Sequence, residues 1–367
     1  MKFVISQSAL ARGIAVVSKG IGAGSTLPIL SGIYIKANEG SIELQTTNLN
    51  TSIRHALPAS VEEPGAVVVS GKTLASVAKN LPDAAVSFEE DGSVVEISCE
   101  KTRFRLNTLP ANDFPEFPSF ELDRNVELPS DILSNMVDKV YKVTSKDTSR
   151  PILAGVLLTV EDNTIRLVAT DSYRLAVCDT NTETDGVEEA FEVIVPGGTF
   201  HDVLGLPSMT ERLSIGMNAS QIVFSFGSTT YVSRRIEGNF PNFRQLLPPS
   251  CNSTVHLDAS QLAQALRRVA VIAASNPSVR FDVDADGSIL RLSASSPDQG
   301  ESTEMLPVEV EGDSLSIALN YHYVLDCVSA AAQNKELSLE LLSSMQPAIF
   351  KSYDRINYLY LLMPVRM

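Results

Sequence analysis

The sequence predicts an α+β fold made of three similar domains in tandem. Pro28 opens a Pro-Ile-Leu-x-Gly segment that recurs at Pro151, and Ile42 in the apolar run that follows corresponds to Ile165 at the same offset. Ile289 lies one residue more than a further interval beyond Ile165 and marks a fainter third copy. This interval is far longer than a solenoid repeat, so each copy is predicted to be a domain. We expect the domains at residues 1–122, 123–250 and 251–367.

Each copy begins with a short strand, a Ser or Asp and an amphipathic helix. In the first copy, Leu10, Ile14 and Val17 follow Ser6 at steps of three and four residues, which places them on one helix face. The same stripe recurs at Ile132, Met136, Val140, Leu262, Leu266 and Val269. A second helix is predicted after each of the apolar segments 67–72, 193–198 and 317–320.

Much of the remaining sequence alternates polar and apolar residues, as at 95–99 and 101–106. This alternation is typical of half-buried strands, because successive side chains point to opposite faces of a sheet. The pairs Asp91-Gly92 and Asp286-Gly287 each separate two such runs and are predicted to form hairpin turns. Each domain is therefore expected to pack two helices on a mostly antiparallel sheet.

Composition narrows the class of protein. The chain lacks a long apolar stretch and a basic-then-apolar leader, so we expect it in the cytoplasm. Neither the cysteines nor the histidines show the spacing of a metal site, and no phosphate-binding loop is evident. Asp171 beside Ser172 is interpreted as a turn between strands rather than a catalytic pair. We therefore expect no cofactor, no metal and no catalytic centre. The cysteines and histidines concerned are Cys99, Cys178, Cys251, Cys327, His55, His201, His256 and His322.

Charge is distributed unevenly along the chain. The net charge of −15 argues against a simple basic DNA-binding protein. The predicted helices do not share this acidity: the first carries Arg12 and Lys19 without an acid, and the fifth carries only Arg267 and Arg268. Solvated helix faces vary in charge without any function. The alternative is that the helices face a polyanion while the other surfaces repel it.

Five segments of the sequence carry a resemblance to a known family. They are Thr26-Leu27-Pro28-Ile29-Leu30, Leu109-Pro110-Ala111-Asn112-Asp113-Phe114-Pro115, Ala169-Thr170-Asp171-Ser172-Tyr173-Arg174-Leu175-Ala176-Val177, Phe240-Pro241-Asn242-Phe243 and Met363-Pro364-Val365-Arg366. These segments resemble the bacterial DNA polymerase III beta subunit family, the sliding clamps. The resemblance covers the whole chain, and the segments 169–177 and 363–366 are its most specific motifs.

The resemblance implies a non-catalytic processivity factor that acts as a head-to-tail homodimer. Its six domains would close into a ring, with helices lining the hole around duplex DNA and sheets forming the outer wall. The ring would slide without sequence specificity and tether the replicative DNA polymerase, and the clamp loader and other proteins would dock on it. Phe104 of one subunit would pack near Val271 and Ile272 of the other.

The resemblance also implies contacts between the helices and DNA phosphates. Such contacts carry little sequence information, which suits sliding. The chain departs from the family at Gly24, Gly197 and Gly198, where related clamps often carry basic residues. The candidate DNA-binding residues are Lys19, Lys72, Lys79, Lys142, Lys146, Arg150, Arg267, Arg268, Asn320 and Tyr323.

A second implied site is a pocket between the second and third domains for short peptide motifs with Leu or Phe anchors. Aliphatic and Met side chains would form its floor, with Arg174 and Arg366 at a polar rim. Tyr173 and Gln245 differ from the commonest family residues. The candidate pocket residues are Leu153, Thr170, Ser172, Tyr173, Arg174, Leu175, Pro241, Gln245, Leu246, Gln346, Pro347, Leu361, Leu362, Met363, Pro364, Val365 and Arg366.

Two other classes of function remain open from the sequence. One is an enzyme of fused repeats with an active site at a domain boundary, although no cluster of His or paired carboxylates supports it. The other is a scaffold that binds proteins through the pocket and never encircles DNA. Charge reversal at Arg267 and Arg268 would separate a scaffold from a clamp, because a scaffold should be indifferent to it.

Overall fold

The computed structural model describes residues 1–22, 27–181, 190–273, 276–332 and 336–365. Its helices and antiparallel sheets confirm the predicted α+β class. The chain forms two compact units. The first comprises Met1–Leu133 and Asp202–Arg235, and the described parts of the second lie within 134–201 and 236–365. The middle repeat contributes to both units.

Six α-helices lie within the described residues, two in each repeat as predicted. They are α1 (Gln7–Val17), α2 (Gly71–Asn80), α3 (Ser130–Val140), α4 (Gly197–Leu204), α5 (Ala259–Val269) and α6 (Tyr321–Ala331). The predicted apolar stripes face inward, and Leu10, Leu262 and Leu266 are fully buried. Side chains at the N-termini stabilise these helices: Ser6 Oγ accepts from Ala9 N, and Asp258 Oδ1 accepts from Gln261 N.

Most of the other described residues belong to β-strands. In chain order these are β1 (Lys2–Ser6), β2 (Gly32–Asn38), β3 (Ser41–Thr47), β4 (Thr51–Pro58), β5 (Ser60–Glu63), β6 (Gly65–Ser70), β7 (Ala85–Asp91), β8 (Val94–Cys99), β9 (Thr102–Leu109), β10 (Arg124–Pro129), β11 (Gly155–Glu161), β12 (Thr164–Thr170), β13 (Arg174–Asn181), β14 (Phe191–Pro196), β15 (Arg212–Met217), β16 (Gln221–Phe226), β17 (Thr229–Arg234), β18 (Ser253–Asp258), β19 (Ser278–Asp284), β20 (Ile289–Ser296), β21 (Gly300–Pro307), β22 (Glu309–Gly312), β23 (Leu315–Asn320), β24 (Glu336–Leu341), β25 (Ala348–Ser352) and β26 (Asn357–Leu362).

The first unit contains one sheet of thirteen strands, in the order β10-β15-β16-β17-β4-β3-β2-β6-β9-β8-β7-β1-β5. Strands of the first and second repeats meet at β4 and β17, where Thr51–His55 runs antiparallel to Thr229–Ser233. The buried His55 Nδ1 lies 2.8 Å from Thr229 Oγ1 across this junction. The sheet therefore continues from one repeat into the next.

The second unit repeats this arrangement in a sheet of nine strands, in the order β14-β11-β12-β13-β26-β25-β24-β18-β22. Strand β13 of the second repeat pairs antiparallel with β26 of the third. A separate four-stranded sheet has the order β21-β20-β19-β23, which leaves β21 at its edge. The hairpins predicted at Asp91-Gly92 and Asp286-Gly287 are confirmed, since they join β7 to β8 and β19 to β20.

Candidate functional site: a peptide pocket and a set of exposed cations

The loop between β12 and β13 holds two exposed residues of the candidate pocket, Ser172 and Tyr173. Asp171 Oδ1 accepts hydrogen bonds of 3.0 Å from the backbone N–H groups of Tyr173 and Arg174, which fixes a tight turn. Ser172 has a positive φ of 78° at its apex. The interpretation of Asp171-Ser172 as a turn is therefore confirmed. The turn leaves the Tyr173 side chain 65% exposed.

Arg174 lies beneath this loop rather than at a polar rim, and it is only 7% exposed. Its guanidinium donates to the carboxylates of Asp171 at 2.9 Å and Asp326 at 2.6 Å. It also donates to Tyr360 Oη at 3.2 Å and to Lys142 O at 2.8 Å. The predicted rim position is wrong, because these partners use the donors that a rim residue would offer to a ligand.

The charge of Arg174 is stabilised by these partners. Burial alone lowers the pKa of an arginine, but Tyr360 and the two carboxylates raise the pKa of Arg174 above its ordinary value. The guanidinium also lies 4.1 Å from the centroid of the Tyr323 ring, a cation–π geometry. Arg174 thus fixes the pocket loop to α6 and β26.

The C-terminal segment lies next to the pocket loop. Leu175 pairs with Leu361 across β13 and β26, and Met363 N donates to Tyr173 O at 2.9 Å just beyond the paired strands. Val365 N donates to Ala318 O at 2.8 Å, which ties the segment to β23. The backbone therefore brings together the candidate pocket residues of the second and third repeats.

The segment that links these two repeats covers one face of the nine-stranded sheet. Phe240, Phe243 and Leu247 pack on a cluster of buried residues that includes Leu175 and Leu361. Leu246 remains 51% exposed and Met363 remains 43% exposed. With Tyr173, these side chains provide exposed apolar surface over a buried apolar floor.

The other candidate pocket residues are divided between floor and surface. Leu153, Thr170 and Leu362 are buried, while Pro241 and Gln245 are exposed on the linking segment. Gln346 and Pro347 lie in the turn between β24 and β25, and Pro364 is half-buried in the C-terminal segment. Arg366 lies outside the described residues.

The candidate DNA-binding cations are exposed but differ in their partners. Lys19 Nζ lies 2.8 Å from Asp202 Oδ1, and Arg268 makes a two-pronged ion pair with Glu304. Within the described residues, no acidic partner lies within ion-pair distance of Lys72, Lys79, Lys142, Lys146 or Arg267. Those five side chains keep their positive charge available to a ligand.

Two residues of the candidate DNA-binding set have structural roles as well. Asn320 caps the N-terminus of α6 through a hydrogen bond of 3.0 Å from His322 N. Tyr323 packs under Arg174, at the candidate pocket.

A cavity of about 720 Å³ is lined by Lys142, Lys146 and Arg150 as well as by Tyr173, Arg174 and Tyr323. The two predicted sites therefore share a wall.

The glycines that depart from the family pattern differ in their surroundings. A Cβ at Gly198 would meet nothing within 4 Å, so the fold does not require glycine there. A Cβ at Gly197 would lie 2.8 Å from Thr144 Cγ2, so that position is crowded. Gly24 lies outside the described residues.

Three models of the DNA polymerase III beta subunit match the chain in succession. The N-terminal domain matches residues 1–118, the central domain 127–242 and the C-terminal domain 244–366. The chain belongs to the DNA polymerase III beta subunit family.

Relatives and solved structures match the chain from end to end. The chain is 28% identical to the beta sliding clamp of Streptomyces coelicolor and 26% identical to that of Bacillus subtilis, over 100% of each pair of chains. The solved DNA polymerase sliding clamp of Bacillus subtilis superposes with a TM-score of 0.93 at 26% identity, over 100% of this chain and 99% of that one. A Pseudomonas aeruginosa sliding clamp bound to griselimycin gives a TM-score of 0.93 at 26% identity, with 100% of both chains covered.

The sequence did not single out two residues that the structure places in close polar contacts. Asp326 holds Arg174, and Lys139 is a buried lysine whose Nζ donates to Ala330 O at 2.5 Å. The one feature in the sequence that pointed to Asp326 was a carboxylate on the predicted sixth helix.

Among the described residues no helix could span a membrane, and no group of His, Cys, Asp and Glu is arranged to hold a metal ion.

Proposed function

We propose that this chain is a sliding clamp, a homodimeric ring that encircles duplex DNA and tethers the replicative polymerase. The observation that carries the proposal is the succession of three beta subunit domains over nearly the whole chain. Relatives named beta sliding clamp support it. We infer domains at 1–122, 123–250 and 251–367, and a non-catalytic role in replication. The location of the protein in the cytoplasm remains a prediction.

Two strand edges are available for the proposed head-to-tail contact. Strand β9 pairs with β8 along its length but with β6 only at Thr108 and Leu109. Strand β21 pairs with β20 alone among the described residues. An unpaired edge is a template for another chain, and pairing β9 of one subunit with β21 of the other would cover both edges.

Side chains support the same contact. Strand β9 carries the exposed residues Arg103 and Arg105, whereas β21 carries Glu301 and Glu304. Arg103 already pairs with Glu96, Arg105 with Asp91 and Glu304 with Arg268, so these ion pairs would have to rearrange when the strands meet. Like charges would still oppose pairing of β9 with β9 or of β21 with β21. Phe104 is half-buried on the face of β9 opposite to the two arginines, and we propose that it packs near the partner's exposed Val271 and near Ile272.

DNA is proposed to contact the cations through its phosphates. The stronger candidates are those with no acidic partner within ion-pair distance among the described residues, namely Lys72, Lys79, Lys142, Lys146 and Arg267. Lys19 and Arg268 would first have to exchange a carboxylate for a phosphate. Such contacts fall off with salt and do not distinguish sequences, as sliding requires.

The pocket is proposed to dock short motifs of the polymerase, the clamp loader and other partners. Its exposed Tyr173, Leu246 and Met363 surround a buried floor, which suits one or two Leu or Phe anchors. Arg174 would act by positioning the loop rather than by contacting the peptide.

Loading on plasmid DNA tests the proposal. The protein is loaded on circular plasmid by its cognate loader, and retention is then measured before and after linearisation. Rapid loss from linear DNA with persistence on circles is expected for a ring. Equal retention on both would refute topological clamping, and failure to associate with either DNA would favour a protein scaffold.

A further inference from the structure

A second apolar groove lies beside the candidate pocket on the nine-stranded sheet. It encloses about 490 Å³. Val177 and Leu359, which face each other across β13 and β26, form its floor. Phe243 and Leu247 of the linking segment line it, as does Tyr353, which is 70% exposed in the turn between β25 and β26.

The groove continues the floor of the pocket along the strands. Side chains two residues apart on a strand lie on the same face, so the pair Val177 and Leu359 follows the pocket pair Leu175 and Leu361. Leu175, Val177 and Leu361 belong to one buried cluster, and Leu359, Phe243 and Leu247 pack against it. The step from one pair to the next is about 7 Å, at about 3.4 Å per antiparallel residue.

Among the described residues that line the groove, one charged side chain has no partner of opposite charge, and it is positive. Asp179 already accepts from Arg166 Nε at 3.4 Å and from Asn357 Nδ2 at 3.1 Å. The Arg244 guanidinium lies 5.7 Å from the centroid of the Phe243 ring and has no carboxylate within ion-pair distance in the described part of the chain. A ligand with an apolar side chain and a nearby carboxylate would match this lining.

We propose that this groove binds the segment flanking the docked motif of a partner peptide, and that it selects an aromatic or aliphatic residue next to an acidic one. The inference rests on the proposed peptide pocket and extends it. Two to three extended residues span the step between the two floors, because an extended chain covers about 3.3–3.6 Å per residue. A peptide anchored in the pocket therefore needs only two to three further residues to reach the groove, passing over the linking segment that packs on this face of the sheet.

Fluorescence anisotropy with synthetic peptides tests the groove separately from the pocket. The core probe is a fluorescein-labelled peptide with a Leu-Phe anchor pair. Two extended probes add Gly-Gly-Phe-Asp at the C-terminus or Asp-Phe-Gly-Gly at the N-terminus, and matched controls replace Phe-Asp by Ser-Lys. We expect one extended probe to bind about tenfold more tightly than the core, which corresponds to about 1.4 kcal/mol.

Two substitutions on exposed side chains locate the gain. Tyr353→Ala and Arg244→Glu are each expected to remove most of the tenfold gain while leaving the affinity of the core probe unchanged. Arg291→Glu, at an exposed position on β20, is the matched charge-reversal control and should retain the gain.

The outcomes separate the two proposals. If the core probe fails to bind, the pocket itself is refuted, and the groove inference falls with it. If the core binds but neither extension improves affinity over its Ser-Lys control, the groove inference alone is overturned. A gain that survives both Tyr353→Ala and Arg244→Glu would place the extension elsewhere and would also overturn it.

Discussion

Replacing Arg174 by methionine removes the buried guanidinium while keeping a side chain of similar length. Four hydrogen bonds are lost, to Asp171, Asp326, Tyr360 and Lys142. Breaking one partner of a buried ion pair costs about 3–5 kcal/mol. Asp171 keeps its two backbone N–H donors, and Asp326 can turn toward water because its side chain is partly exposed. We therefore expect the lower end, about 3 kcal/mol.

Amide hydrogen exchange along the β13–β26 pair measures this cost where it acts. A loss of about 3 kcal/mol corresponds to a protection factor lower by about 100-fold, since 1.4 kcal/mol is a factor of ten. Arg174→Lys keeps the charge but not the planar fork, so it should recover only a small part. The free energy should also be non-additive with Asp326→Asn in a double-mutant cycle.

Arg166→Met is the matched control, because Arg166 forms a partly exposed ion pair with Asp179 at 3.4 Å. Such pairs contribute about 0–1 kcal/mol, so its effect on protection should stay below about fivefold. If Arg174→Met lowers protection no more than Arg166→Met does, Arg174 does not fix the pocket loop. The proposed role of Arg174 as a positioning residue would then be refuted as well.

Three further predictions follow from buried or exposed charges. Burial lowers the pKa of Lys139, so the unfolded chain binds more protons between the lowered pKa and the ordinary value of about 10.4. Buried Cys178, Cys327, Tyr358 and Tyr360 have raised pKa values, which make stability fall over the same alkaline range. The measured quantity is therefore a difference: the free energy of unfolding by urea of the wild type minus that of Lys139→Met should increase with pH across the window. Burial also lowers the pKa of His55, so stability should fall as pH drops below about 6.5, and thermal unfolding of His55→Gln between about pH 5 and 7 should show a flatter slope. Arg267→Gln should reduce the salt slope of duplex binding by about 0.9, whereas Arg268→Gln should change it less because its charge is already paired; equal effects would contradict this distinction.

Features set by neighbouring residues could be predicted from the sequence. The stripe Leu10, Ile14 and Val17 specified the buried face of α1, because helical periodicity is local. The hairpin turns at Asp91-Gly92 and Asp286-Gly287 were predicted for the same reason. Because the sequence repeats at a nearly constant offset, each local prediction applied to all three repeats, and together they predicted the fold class.

The candidate site could be predicted only in part, because its electrostatics join distant residues. Arg174 looked like a rim residue, yet Asp326, 152 residues away in the sequence, holds it in the interior. Lys19 likewise meets Asp202 across 183 residues. Nothing local to either cation signals such a partner. The sequence identifies which residues carry charge, whereas the fold decides which charges remain available.

The two ladders that join consecutive repeats, β4 with β17 and β13 with β26, bear on how this family tolerates sequence drift. Their hydrogen bonds use backbone atoms that every residue except proline possesses in full. Substitutions there can change surface chemistry while strand spacing stays near about 4.8 Å. A TM-score of 0.93 at 26% identity agrees with that freedom. Proline is the residue that these ladders exclude, at each position where a backbone N–H donates to the partner strand, because proline has no N–H.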